Sequence, residues 1–454
     1  MGGIILRNRR HALIITLYVI TLLVLAGVIV YSVRRQRDNS QGDIPDHKGT
    51  YGTTDNTNSP NNSDNQDDAS AKDNVQPEVK GTSEDDEGSL EGDDEGSLEG
   101  DEEGSFEGDD VTEASVTHVS SNTADTLAST NNQDEVTRSE PIVLAFAGDI
   151  NLNEDSRPIK RYDKENKGIL GCLSPELVEE MNQADIMMLN NEYAYSNRGK
   201  RIEEKSYTFR AKPERVNILH EMGVDIVSLA NNHTLDYGMD ALLDTFTTLE
   251  DAEIDYVGAG INMARAKAPI YYHIGDKTIA YLAASKVIYA ADWYATDTRA
   301  GMIGTYDPTL FLTSIKEAEG NSDLVVVYVH WGVEKTHDIA DHQKKLAKEY
   351  IDAGADIVVG CHPHVMQGID FYKGKLIAYS LGNYWFNNVK RETALLKIYL
   401  EQDGTVRAQL LPAMGKDTFT YLITDDNEKK EYYKFMEDIS FDIEFDEDGY
   451  IREK

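Results

Sequence analysis

Residues 225–238 read DIVSLANNHTLDYG. Asp225–Leu229 is a short, largely apolar run, and such runs predict a strand buried on both faces. Directly after it, Asn231, Asn232, His233 and Asp236 place amide, imidazole and carboxylate groups at the strand's carboxyl end. Tyr237-Gly238 then leads into Met239–Leu249, whose apolar spacing predicts a helix. The unit is strand, donor-rich turn, helix, and that unit recurs along the chain.

On the amino-terminal side, Ile142–Ala147 runs into Gly148-Asp149-Ile150-Asn151, and Ile186–Leu189 runs into Asn190-Asn191-Glu192. On the carboxyl-terminal side, Leu324–Val329 runs into His330-Trp331-Gly332, and Ile357–Val359 into Gly360-Cys361-His362-Pro363-His364. Ile279–Ala283 and Leu376–Tyr379 are two further apolar runs. Helix candidates lie between them: Pro175–Asn182 with Ser174 as N-cap, Val216–Met222, and Asp341–Asp352. Strand–helix alternation predicts an α/β layered fold. Ala394–Leu411, turning at Asp403-Gly404, reads as a hairpin at the sheet edge. Past Lys416 the pattern weakens, so 416–454 is expected to be an extension of a domain spanning 141–415.

In an open α/β sheet, ligands gather at the carboxyl ends of the strands. Taken singly, these residues are unremarkable chemistry. An Asp after a strand is usually a cap or turn residue, Asn231-Asn232 is a turn, and His330 is a hydrogen-bonded core histidine. His362 and His364, spaced i, i+2 on an extended segment, would face one side. Five strand ends carrying such donors point instead to a metal site. Carboxylate, amide and imidazole together suit Mn²⁺, Fe²⁺, Zn²⁺ or Mg²⁺ rather than a thiolate zinc site. The number of donors suits two ions sharing one centre.

The motifs GD, N-x-E, ANNHxxDYG, HWG and G-x-H-P-H, followed by Ser380-Leu381-Gly382-Asn383, resemble the poly-γ-glutamate capsule biosynthesis (CapA-type) family. That family is a branch of the calcineurin-like metallophosphatases. The resemblance covers roughly 142–386. It implies a four-layer αββα sandwich of two sheets between helices. It also implies Asp149, Glu192, Asn232, His330, His362 and His364 as metal ligands, and His233 as general acid, steadied by Asp236. Two positions depart from the broader superfamily. Asn151 stands where its first motif has His, and Glu192 follows Asn190-Asn191 where an Asp is usual. An amide is a weaker ligand than imidazole, which thins the donor set of one metal position. Trp331, Tyr193, Tyr195 and Trp385 lie near the motifs and read as packing residues. Glu334 and Arg210 are further candidates for substrate contact.

Outside this region the chain changes character. Ala12–Val33 is 22 residues without a charge, long enough to span a hydrocarbon core of about 30 Å. It exceeds a signal-peptide apolar region, lacks an A-x-A site, and ends in Arg34-Arg35. The expectation is an uncleaved anchor at 12–33, a short cytoplasmic tail at 1–11, and the rest of the chain outside the cell membrane. Residues 34–140 are expected to be a disordered acidic linker. Within them Asp85–Gly92 and Asp93–Gly100 both read DDEGSLEG, and Asp101–Gly108 reads DEEGSFEG. From Tyr51 to Glu140, 26 acidic residues stand against 3 basic ones, so most of the net charge of -37 lies there. This balance argues against nucleic acid as a partner, because its phosphates repel an acidic surface. Two cysteines, Cys172 and Cys361, allow either one disulfide or two buried thiols, and Cys361 reads as structural rather than as a ligand.

Three functions follow as alternatives. The first is a metal-dependent hydrolase acting on an envelope polymer or its precursor, in poly-γ-glutamate capsule biosynthesis. The second is a non-catalytic organiser working with other membrane capsule-synthesis proteins. The third is a general extracellular metallophosphoesterase. A GxxxxGK[ST] phosphate loop is absent from the sequence, so polymer ligation driven by ATP is not expected of this chain.

Overall fold

The computed structural model describes residues 140–454 except Asn388. The anchor expected at 12–33 and the linker expected at 34–140 lie outside the described residues, apart from Glu140. Among the described residues no helix is long and apolar enough to cross a membrane.

Two mixed sheets carry the fold. The first is built on Ile142–Ile150, with Ile186–Asn191, Ile226–Ser228 and Asp255–Val257 following in parallel on one side. On its other side Arg391–Leu400, Val406–Lys416 and Phe419–Leu422 are antiparallel. Asn383–Trp385 also pairs with the end of Ile142–Ile150. The second sheet holds Lys277–Ser285, Leu324–His330, Ile357–Cys361 and Lys375–Leu381 in parallel. Ile270–Ile274 and Met366–Tyr372 are its antiparallel edges.

The period-two alternation of strands sorts the apolar residues into layers. Leu144 and Phe146 join Ile186, Met188, Val326, Tyr328, Ile357 and Val359 in a cluster shared by both sheets. Their neighbours Ala145, Ala147, Met187 and Leu189 face the other way, into a cluster with Leu177, Leu219, Leu242 and Phe246 from helices. On the second sheet Val325, Val327 and Val329 pack with Phe311, Ile315, Leu346 and Ala347 of helices Thr309–Glu319 and Asp341–Asp352. Fully burying each such side chain stabilises the fold by roughly 1.5–3 kcal/mol. The Tyr328 hydroxyl crosses the middle layer to donate to the Ala147 carbonyl at 2.7 Å.

Helix Pro175–Asn182 starts as its sequence dictates, with Ser174 Oγ accepting from Leu177 N and Pro175 at the first helical position. Helix Asp341–Asp352 coincides with the expected span. The stretch read as Val216–Met222 is divided between a 3₁₀ turn at Pro213–Val216 and a short helix at Asn217–Glu221.

Past Lys416 the described chain continues into the same sheet and core. Strand Phe419–Leu422 extends the first sheet, and helix Asp426–Asp438 sends Tyr432, Tyr433 and Met436 into the shared core. Their apolar positions are spread among charged residues, so local composition hid a segment that long-range packing recruits. Cys172 and Cys361 are both buried free thiols, which settles the open alternative against a disulfide.

Candidate metal centre

The parallel strands of both sheets end at one place. Register sets Asp149 beside Asn190, Asn190 beside Ser228, and His330 beside Cys361. The strands run further into the polar motifs than the apolar runs suggest, reaching Ile150, Asn191, His330 and Cys361. Asp149 and His330 are therefore held within strands, and Glu192, one residue past its strand, is tied to the neighbouring strand by its backbone N–H donating to the Ile150 carbonyl at 3.3 Å.

His362 and His364 arrive differently. The extended segment expected for them ends at Cys361, and both take the left-handed conformation, φ +97° and +59°. Non-glycine residues there cost of order 1–3 kcal/mol each, and such strain gathers at functional sites. The turns, not a pleat, bring the two imidazoles round to the strand ends.

All eight residues singled out by sequence meet here. The Asp149 carboxylate accepts from Asn190 Nδ2 at 2.7 Å and from the His362 backbone N–H at 3.2 Å, with His364 Nδ1 at 3.4 Å. His330 Nε2 lies 2.9 Å from Asn232 Oδ1, and His364 Nδ1 lies 2.8 Å from Asn383 Oδ1. Asp236 accepts from His233 Nδ1 at 2.6 Å and from Phe209 N at 2.7 Å. A carboxylate can only accept here, so Nδ1 carries the proton and Nε2 is turned to the centre. The Phe209 ring stacks on His233 at 4.2 Å.

Three further residues hold the site, none of them assigned a role from the sequence. Asn190 links Asp149, Glu192 and Asn231 through its amide. Asn383 orients His364, although its Ser-Leu-Gly-Asn run was part of the motif pattern. Lys205 donates to Asp236 Oδ1 and to the Asn232 carbonyl, with its ammonium near the Trp293 and Tyr289 rings. It stands in the polar loop 203–206, where nothing periodic marks it. Asn151 is buried at the rim, its Oδ1 accepting from Asn153 N at 2.8 Å. Trp331, Tyr193, Tyr195 and Trp385 are buried packing residues. Arg210 instead lies over the Tyr237 ring and donates to the Arg198 carbonyl.

Charge explains why the cluster suits a cation. Burial, reinforced by Asp149, pushes the Glu192 carboxyl well above its ordinary range. Burial also drives His330 well below its usual value and His362 down to about 3, so both imidazoles are neutral donors. For His364 burial acts downward, but Glu192 and Asp149 outweigh it and raise the group to about 9. Burial opposes ionisation of Asp149, yet His364 and Asn190 hold it below the usual carboxylate range. Glu192, whose ionised form burial and Asp149 disfavour, is the carboxyl that a cation beside the neutral His330 and His362 would hold as an anion, while His364 already answers Asp149.

The fit of a metal is tested by the atoms left unpartnered. Glu192 Oε1 and His362 Nδ1 are buried and unbonded. Glu192 Oε1 sits 3.7, 3.9 and 4.0 Å from Nε2 of His330, His233 and His364. Donors sharing an ion at about 2.0–2.2 Å each stand roughly 3–4 Å apart. Two donor groups are compact: Asp149, His330 and Cys361, and Glu192, His362 and His364, each with ligand atoms within 4.8 Å of one another. Burial and Asp149 raise the Cys361 thiol well above its ordinary value, so it is a protonated neighbour and not a thiolate. The residues present fit a divalent cation.

The layered α/β fold and this strand-end centre define a class of protein built to hold metal between two sheets. The family described as "Bacterial capsule synthesis protein PGA_cap" matches residues 143–388, and the chain belongs to it. Capsule biosynthesis protein CapA of Bacillus anthracis is 35% identical over 238 residues, 51% of this chain and 57% of that protein. PGA biosynthesis protein CapA of Bacillus subtilis (strain 168) is 37% identical over 213 residues, 46% of this chain and 56% of that protein. The chain thus spans about half the length of the curated relatives it matches. Among solved structures, a phosphatase of Mycoplasma pneumoniae aligns with 62% of this chain and 96% of its own, at 11% identity and TM-score 0.40. The NAD nucleotidase of Haemophilus influenzae aligns with 66% of this chain and 63% of its own, at 11% identity and TM-score 0.34.

Proposed function

We propose that this chain is a membrane-anchored, outward-facing capsule synthesis protein acting on poly-γ-glutamate or its precursor, and that its domain is a divalent-metal-dependent hydrolase with one or two ions. The family supports the pathway. The uncharged run at 12–33 supports the anchor, and other membrane capsule-synthesis proteins are the expected partners. The single observation that carries the hydrolase reading is Glu192 Oε1, buried, unbonded and facing three imidazole Nε2 atoms.

A divalent ion bound there supplies a Lewis acid and acidifies water. The chain's own residues do the rest. Asp149 and Glu192 bring the compensating negative charge, and Asn190 fixes both carboxylates. Asp236 accepts from His233 Nδ1–H and burial keeps the ring neutral, so Nε2, 3.9 Å from Glu192 Oε1, presents a lone pair that would take a proton from the attacking water and then, from the doubly protonated ring, return it to the leaving group. Phe209 and Phe386 meet edge to face at 5.7 Å and pack against the His233 and His364 rings at 4.2 and 4.7 Å, which limits how those imidazoles can turn.

One observation favours the non-catalytic organiser. The Asn151 amide oxygen is spent on Asn153 N, so the cluster has one donor fewer than the superfamily pattern. The test is metal content of the detergent-purified full chain beside His330→Ala/His362→Ala. About one to two equivalents, lost in the variant, is the expected result. No metal in either protein after reconstitution would transfer the reading to the organiser. Turnover of simple phosphodiesters well above background would instead mark a general phosphoesterase.

A further inference from the structure

Above the metal centre opens a cleft of about 410 Å³. His233 and His364 form part of its floor, and Arg157, Lys335 and Arg391 line its mouth. Each cation is attached to an element that builds the centre. Arg157 follows the Ser156 N-cap on the segment leaving the Asp149 strand. Lys335 N donates to the Pro363 carbonyl at 2.8 Å, between the two turn histidines. Arg391 Nη1 contacts the His364 carbonyl at 3.4 Å.

Among the described residues none of these three cations has a carboxylate partner, whereas Arg198, Arg215, Lys373, Lys375 and Arg407 elsewhere all do. The cleft lining has one acidic residue outside the centre, Glu334. Yet from Pro141 to Lys454 acidic residues outnumber basic ones 52 to 34. A net-positive mouth on an acidic surface focuses anions. Asn383 adds a second, independent feature. It is 6% exposed, lines the same cleft, and its Nδ2 is a buried donor without a partner while Oδ1 serves His364.

We propose that Arg157, Lys335, Arg391 and Asn383 form the subsite that recognises an anionic chain, carrying carboxylates or phosphates on both sides of the bond presented to the centre. The proposal rests on the hydrolase reading only in calling the floor of the cleft the reacting centre. Three separate cations exceed what a single small anion requires. Guanidinium forks pair with carboxylate or phosphate oxygens, and the unpaired amide N–H₂ requires an acceptor.

The experiment measures binding by the full chain in detergent, using fluorescence anisotropy at low salt and at about 0.15 M salt. The probes are a short γ-linked glutamate oligomer, a linear polyphosphate of similar charge, and the neutral γ-linked glutamine oligomer. The expected result is salt-sensitive binding of an anionic probe, with little binding of the neutral one. Whichever anion binds more tightly identifies carboxylate or phosphate as the natural group. Arg157→Gln/Lys335→Gln/Arg391→Gln should weaken it about tenfold, three exposed pairs acting together, with metal content and circular dichroism retained. Glu334→Gln should tighten it. Equal binding of the neutral oligomer, or a folded triple variant that binds as well as the parent, overturns the proposal. The two readings fail separately: metal without charge-dependent binding removes the subsite, and charge-dependent binding without metal removes the hydrolase.

Discussion

Lys205→Met should destabilise the domain by about 2–3 kcal/mol. The Lys205 side chain is 10% exposed and Asp236 is fully buried. The ammonium donates to Asp236 Oδ1 and to the Asn232 carbonyl, and burial lowers its own pKa while Asp236 pulls the other way. Removing one partner of a buried pair costs about 3–5 kcal/mol. Here the loss is smaller, because Asp236 keeps Phe209 N and His233 Nδ1 on its other oxygen. With an m-value of about 3 kcal/mol/M, the urea midpoint should fall by about 0.7–1 M. Tryptophan fluorescence reports it, since Trp293 lies 5.4 Å from the Lys205 ammonium. Lys205→Arg should recover part of the loss. Lys205→Met/Asp236→Asn should cost less than the sum of its singles, because the double variant leaves no bare charge. An unmoved midpoint in Lys205→Met, or strict additivity in the double variant, would refute the argument that this pair anchors His233.

Asn190→Leu keeps volume but removes the amide that fixes both carboxylates. Metal affinity, read by competition with a chelating dye, should fall about 10–100-fold with the fold intact. Gly148→Ala would set a Cβ 1.9 Å from the Gly382 carbonyl oxygen, backbone against backbone. It should cost at least about 3 kcal/mol or prevent soluble expression, whereas Gly374→Ala, with open space around it, should cost only about 1 kcal/mol. Both cysteines are buried, and burial pushes the Cys172 thiol up to about 12. Neither should react with a disulfide reagent until urea unfolds the domain, and an oxidant should leave the midpoint unchanged. Fast labelling of either thiol in the folded protein would show that its burial is wrong.

The parts of this molecule that could be read in advance are those where local pattern and global position coincide. Ile142–Ala147 and Leu324–Val329 are buried on both faces, so composition alone marks them as strands, and their last residues fall where sheets of this kind bind ligands. The helix at Asp341–Asp352 announces itself by spacing. Lys205 does not, because its role depends on a partner 31 residues away. Asn190 sits inside an apolar-to-polar transition that already pointed to Glu192, and only the register against Asp149 shows it as the linking group. The turns at His362 and His364 escaped because backbone handedness leaves no trace in residue type unless glycine occupies the position. Helix Asp426–Asp438 was missed because its three core residues are outnumbered by charges on the exposed faces.

The central strand of the first sheet has its two neighbours far apart along the chain. Ile142–Ile150 pairs on one side with Ile186–Asn191, but on the other with Arg391–Leu400, where Ile142 meets Leu400. Its second edge therefore stays open until almost the whole domain has been synthesised. Leu144 and Phe146, destined for the middle layer, wait with it. Topology of this kind folds slowly and exposes an unpaired apolar strand while it does so. Yield of the active protein should thus be governed less by equilibrium stability than by how long the nascent chain is kept from pairing with its copies. Slower synthesis or a holding chaperone should raise it without any change in the finished fold.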